Sequence, residues 1–218
     1  MVVMPSNNSG IRVGILAARH PGRLGWLIGP GGWRRPPEWI KWPVAIDNGA
    51  FPAWTKGETW EAKPFLDLLE TAHRFCSPIW AIVPDVVTDA EATLASWDKW
   101  RPILAEKYPK LPLAMAVQDG MTPDMIPKTN GPSWIFIGGS DAYKMKSIPM
   151  WCAAYPGRVH VGRINGEKGL WECHNTKGGV ASVDGTGFFR GDPVQTASLK
   201  NYLEQSDKGE VPQIELDL

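Results

Sequence analysis

The chain alternates short apolar runs with amphipathic stretches. Apolar runs of strand length fall near 11–18, 24–28, 44–47, 79–83, 112–117, 134–137, 158–162 and 179–183. Helical patterns separate several of them. Residues 62–76 place Phe65, Leu68, Leu69, Ala72 and Phe75 at helical spacing. Residues 88–107 carry Leu94, Trp97, Trp100 and Leu104 behind a cap at Thr88 or Asp89. A third helix is predicted over 140–154, capped by Ser140, and a fourth from Asp192-Pro193 to about Gln205. Residues 1–10 are polar and small and read as a flexible N-terminus, and residues 19–43 read as an irregular loop.

Strands alternating with helices predict a parallel sheet. About eight strand candidates suit a compact α/β fold, the (β/α)8 TIM-like barrel, built as a single domain over residues 11–218. An open doubly wound parallel sheet is the alternative. In both folds a ligand sits at the carboxyl ends of the strands.

Those ends carry the polar groups. Val44-Ala45-Ile46 runs into Asp47-Asn48-Gly49-Ala50-Phe51, Ile79–Val83 into Pro84-Asp85, and Leu113–Val117 into Gln118-Asp119-Gly120. Gly179-Val180-Ala181 leads to Ser182-Val183-Asp184, followed by a glycine-rich loop with Arg190. One such acid could simply cap the next helix. Three at equivalent positions point to a shared site. A nucleophilic carboxylate suits glycosyl transfer, and a second can move a proton or accept from donor edges of a base. Gln118 offers a donor and an acceptor to an amide-like edge, and Gly138-Gly139 lets a ligand approach the backbone. Arg163 and Arg190 could hold phosphate or orient the acids.

Composition narrows the partners. The 218 residues are 43% hydrophobic and 21% charged, as in an ordinary globular protein. Twenty-three basic and 23 acidic residues leave no net field to attract a polyanion, so a nucleic acid would need a local basic patch. Arg34-Arg35 and Lys144/Lys146 are the local clusters. Cys76, Cys152 and Cys173 lack disulfide or zinc spacing, which predicts a reducing, cytoplasmic setting, no metal and no other cofactor. No signal peptide or membrane-spanning run is read. The twelve Trp are expected mainly in packing. No Ser-His-Asp triad is read from His20, His73, His160 and His174.

In their order, these strand ends resemble the tRNA-guanine transglycosylase superfamily. Asp47-Asn48-Gly49-Ala50-Phe51 is similar to its Asp-Ser-Gly-Gly-Phe segment, and Val117-Gln118-Asp119-Gly120 to its Val-Gln-Gly-Gly segment. Ile137-Gly138-Gly139 resembles its Ile-Gly-Gly turn, and Val183-Asp184-Gly185-Thr186 its Phe-Asp segment. The resemblance implies a (β/α)8 barrel and base exchange. It implies Asp184 as nucleophile, Asp47 as acid/base or pocket acid, and Asp85, Gln118 and the Gly138-Gly139 backbone as base-binding, with Asn48 and Phe51 beside them. No Cys-x-Cys-x-x-Cys…His zinc pattern follows Asp184. In this the chain resembles the zinc-less branch of phages and mobile elements, associated with placing 7-deazaguanines in DNA. The expected partners are therefore DNA, or tRNA, and a free 7-deazaguanine base such as preQ0, in the host cytoplasm if phage-encoded. A hydrolytic nucleoside or DNA glycosylase and a non-catalytic nucleic-acid-binding barrel are the alternatives.

Overall fold

The computed structural model describes residues 1–8, 10–34, 42–190 and 193–209. Its strands are β1 (Val2–Pro5), β2 (Trp26–Ile28), β3 (Val44–Ile46), β4 (Trp80–Ile82), β5 (Leu113–Val117), β6 (Trp134–Ile137), β7 (Val159–Val161) and β8 (Ser182–Gly185). The helices are α1 (Ile11–Arg19), α2 (Ala50–Thr55), α3 (Ala62–Phe75), α4 (Ala90–Lys107), α5 (Asp141–Ala154), α6 (Glu167–Asn175) and α7 (Pro193–Asp207). All strand pairs are parallel, in the order β1-β8-β7-β6-β5-β4-β3-β2. The two edges meet through the bridges Val3↔Leu24 and Ser6↔Leu27, and the Asn7 N–H donates to the Leu27 carbonyl at 2.8 Å. The sheet thus curls into a nearly closed, compact (β/α)8 barrel, and the open doubly wound alternative does not hold.

The first strand differs from expectation. Residues 2–5, read as part of a flexible terminus, form β1, with Val3 and Met4 fully buried. Residues 11–18, read as a strand, form helix α1. Ile11, Val13 and Ile15 alternate, which mimics a strand. The buried set, however, is Val13, Gly14, Leu16 and His20, which share one helical face, while Ile11 and Ile15 are exposed. Within 19–43, the end of α1 and strand β2 are regular. Arg35 and the Asp192 cap lie outside the described residues.

The predicted caps at Asp89 and Ser140 are formed. Asp89 accepts the Ala92 N–H at 2.9 Å, and the Ser140 hydroxyl accepts the Tyr143 N–H at 3.2 Å. Each removes an orphan donor, a contribution of about 1 kcal/mol. Helix α3 buries Phe65, Leu68, Leu69 and Ala72 against the outside of the barrel.

Inside the barrel, side chains alternate by strand parity. Met4, Leu27, Ala45, Trp80, Ile82, Ala114 and Ala116 form the inner core, with Phe136 and Trp134 against it. Small alanines on β3 and β5 leave room for the large rings of β4 and β6. Trp26, Trp80, Trp151 and Trp171 are fully buried, so these indoles pack rather than bind. Among the described residues no helix is long and apolar enough to cross a membrane.

Candidate active site

The same parity builds the site. One inward step beyond the packed interior brings Ser6, Gly29, Asp47, Gln118, Gly138, Gly162 and Asp184 to the carboxyl ends of their strands. All but Gly162 of these line one cleft of about 1170 Å³, together with Asn48, Phe51, Asp85, Gly139, Arg163 and Arg190. Every residue the sequence nominated for the site is therefore in this cleft.

Asp184 lies near the end of β8 and is 4% exposed. Its Oδ2 accepts from the Ser6 hydroxyl at 3.0 Å. Its Oδ1 accepts from the Arg163 backbone N–H at 3.2 Å and lies 3.1 Å from His160 Nε2. Among the described residues no lysine or arginine side chain pairs with it.

Asp47 follows β3. Its Oδ1 accepts the Gly49 N–H at 2.8 Å, closing a tight turn into α2. Gly49 has φ +81°, and a Cβ there would stand 2.9 Å from the Pro30 ring, so glycine is required. Burial pushes the Asp47 carboxyl up to about 7, the Gly49 bond opposes this, and the nearby charges of Asp184 and Asp85 add to it. Such a group carries or releases a proton near neutrality.

Asp85 is bracketed by two amides. Asn48 Nδ2 donates to its Oδ1 at 2.7 Å, and Gln118 Nε2 to its Oδ2 at 2.8 Å. Backbone groups fix both amides. The Ala50 N–H donates to Asn48 Oδ1 at 2.7 Å, and the Thr88 N–H to Gln118 Oε1 at 3.1 Å. The amide orientations follow, with nitrogens toward Asp85. Asn48 also donates to the Val83 carbonyl at 3.1 Å, which uses its second hydrogen. Asn48 therefore acts by holding Asp85, whereas Gln118 keeps one hydrogen for a ligand. Burial raises the Asp85 pKa, and the two amides oppose it.

Arg163 has the left-handed φ of +60°, which costs a non-glycine residue of order 1 kcal/mol. The turn aims its backbone N–H at Asp184. Its guanidinium lies 4.4 Å from the Phe51 ring centre, donates to the Gly139 carbonyl and stands 3.9 Å from Asp141. Arg163 and Phe51 thus form one wall. Arg190 donates to the Ser6 carbonyl at 2.7 Å and is exposed at the rim. Asp119 accepts both the Ser140 N–H and hydroxyl, which joins the end of β5 to the start of α5.

Two residues in contact with Asp184 were not nominated. Ser6 sits in the segment read as flexible, yet Val2-Val3-Met4-Pro5-Ser6 repeats the apolar-run-then-polar grammar of the other strands. His160 sits on β7 opposite Ser182. Its inward parity was readable from Gly162 and from the neighbouring Ser182 and Asp184. A Ser182–His160–Asp184 chain does exist: Ser182 Oγ is 2.8 Å from His160 Nδ1. Ser182 is 2% exposed and lines no part of the cleft, so its hydroxyl is not a nucleophile for a bound substrate.

The remaining expectations divide. Lys144 is 2% exposed and donates to the Gly162 carbonyl and to Asp141, so it does not contribute to a basic surface. Cys173 is buried in the core while the adjacent His174 bonds the Tyr202 hydroxyl at 2.8 Å, so the two do not converge. Among the described residues no cluster of three metal-ligating side chains occurs. In comparisons with known proteins, no family model and no curated protein matches the chain.

Proposed function

We propose that the protein is a base-exchange transglycosylase that replaces guanine in DNA with a 7-deazaguanine such as preQ0. The observation that carries this reading is the pairing of acids at the cleft. Asp184 is a buried carboxylate fixed by hydrogen bonds with no lysine or arginine partner among the described residues, and Asp47, close by, has a carboxyl pKa of about 7. A positioned carboxylate is a nucleophile for an oxocarbenium-like sugar carbon, and an acid near neutrality serves the leaving base.

In the first half-reaction an Asp184 oxygen bonds to C1′ of a flipped guanosine and the C1′–N9 bond breaks. The electron pair leaves with the base, which takes a proton from Asp47. In the second, the incoming base returns a proton to Asp47, its N9 bonds to C1′, and the bond to Asp184 breaks. Asp85 accepts from donor edges of the base, and Gln118, with its remaining hydrogen, donates to an acceptor beside them. Phe51 and the Gly138-Gly139 backbone complete the pocket, and Arg190 at the rim meets phosphate. The choice of DNA rests on the resemblance to the zinc-less branch.

Incubating the protein with duplex and single-stranded DNA, with tRNA, and with labelled guanine tests the reading. Label entering DNA in an Asp184-dependent manner is the expected result. Label entering only tRNA moves the polymer. Abasic sugar without label makes the protein a hydrolase, and no reaction with any polymer overturns the reading.

A further inference from the structure

His160 is the one histidine inside the barrel, and the cleft does not account for it. It is 1% exposed and absent from the cleft lining. Its ring is stacked on Phe136 at 5.0 Å and meets Trp80 edge-on at 4.9 Å, so it has one orientation. Beyond those rings its polar neighbours are Ser182 at Nδ1 and Asp184 at Nε2. The Ser6 hydroxyl and the Arg163 N–H both donate to Asp184, which is therefore an acceptor. Nε2 at 3.1 Å from Oδ1 must then carry a hydrogen. This holds whichever way the Ser182 hydroxyl is turned.

The two oxygens of Asp184 consequently differ. Oδ1 receives two N–H donors, from His160 and from the Arg163 backbone, which occupy its in-plane lone pairs. Oδ2 receives one donor, from Ser6, and keeps the greater free acceptor capacity. We propose that His160 is a positioning residue that anchors Asp184 through Oδ1 and leaves Oδ2 as the atom that bonds to the sugar. The role rests on the base-exchange reading above. As Oδ2 bonds to C1′ and the pair of the C1′–N9 bond leaves with the base, Oδ1 becomes the carbonyl oxygen of the ester. When the second base attacks, the Oδ2–C1′ pair returns to the carboxylate. Its charge spreads onto Oδ1, where both N–H donors are already in place. His160 touches neither sugar nor base, so its effect falls on rate and not on binding.

Stopped mixing of the full-length protein with a guanine-containing oligonucleotide, followed by denaturation and intact mass, reads the rate of adduct formation. Calorimetry with free guanine reads the pocket. His160→Leu removes the donor at similar bulk. By unseating the attacking oxygen it is expected to slow adduct formation about 100-fold, with KM and guanine affinity within about threefold of the parent. His160→Gln, which can place an N–H near Oδ1, is expected to recover about tenfold of that loss. Ser6→Ala, which acts on the attacking oxygen, is expected to cost about fivefold. If His160→Leu does not fold, Ser182→Ala, which frees one end of the ring, is expected to show the same split at about tenfold. Adduct formation at the parent rate in His160→Leu or Ser182→Ala would overturn the role. So would equal losses of rate and guanine affinity that His160→Gln fails to restore, or a Ser6→Ala loss larger than that of His160→Leu. No adduct in the parent protein would overturn the exchange reading itself.

Discussion

At the mouth of the barrel, Asp47, Asp85 and Asp184 sit together with no lysine or arginine ion pair among the described residues. On the opposite floor, Asp207 at the end of α7 is held by Arg23 and His20. Its Oδ2 lies 2.6 Å from His20 Nδ1, its Oδ1 accepts from Arg23, and Arg23 also donates to the Ser206 hydroxyl at 2.6 Å. The floor cluster joins α7 to the end of α1 and the start of β2, beside the seam where β1 and β2 pair only through isolated bridges. The Asp207 charge there is met by Arg23, and the cluster supports the fold. The mouth acids are held by amide, backbone, imidazole and hydroxyl groups, which fix their geometry with no lysine or arginine partner among the described residues. Acids kept without a lysine or arginine partner where a cleft opens cost stability and are the groups the proposed exchange would use.

The comparison breaks most sharply at Asp184. Asp184→Asn is expected to reduce exchange at least ~1000-fold in a label-incorporation assay. Its melting temperature should stay within a few degrees of the parent, since the isosteric amide keeps the packing.

Asp47 comes next. Its folded pKa of about 7 exceeds the ordinary value of 3.8. Its contribution to stability is therefore complete below about pH 4 and lost as pH rises through about 7. At about 1.4 kcal/mol per tenfold change in proton affinity the loss is at most about 4 kcal/mol. Denaturant titrations at several pH values should show Asp47→Asn with a flatter profile and greater stability than the parent at pH 8. The same variant should lose the decline in base release expected above about pH 7. A parent profile that rises across this window would contradict the assignment.

A smaller effect is expected at Asn48. Asn48→Ala removes one of the two donors to Asp85 and leaves the Ala50 N–H unpaired. Free-guanine affinity should fall about tenfold by calorimetry, with a stability loss of about 2 kcal/mol. The smallest effect belongs to the floor. Asp207→Asn should lower stability by about 1 kcal/mol in urea, since Asp207 is 36% exposed. Exchange activity should be unchanged. Loss of activity there, or none at Asp184, would erase the distinction between the two ends.

Much of this contrast was written in local sequence. Strands β3, β4, β5, β7 and β8 are short runs that end on or near polar groups, β6 ends on a glycine pair, and the caps at Asp89 and Ser140 lie beside the helices they start. The three acids were readable because parity and strand ends are local properties. What was not readable depends on distant pairing. Ser6 meets Asp184 across 178 residues, and His160 meets it across 24. β1 was overlooked because its four residues run into polar Ser6-Asn7-Asn8, and α1 because Ile11, Val13 and Ile15 alternate like a strand. The role of Asn48 depends on which backbone groups occupy its amide, which no spacing encodes. The floor cluster joins residues 20 and 23 to 207, so it carries no local signature either.

The central claim is that Asp184 bonds covalently to a sugar. Mixing the protein with a guanine-containing oligonucleotide, denaturing, digesting and sequencing by mass tests it directly. The account predicts a nucleic-acid adduct on the peptide containing Asp184, absent from Asp184→Asn and discharged by added guanine. An adduct that persists in Asp184→Asn, or label exchange into DNA with the adduct mapped to another residue, would contradict it.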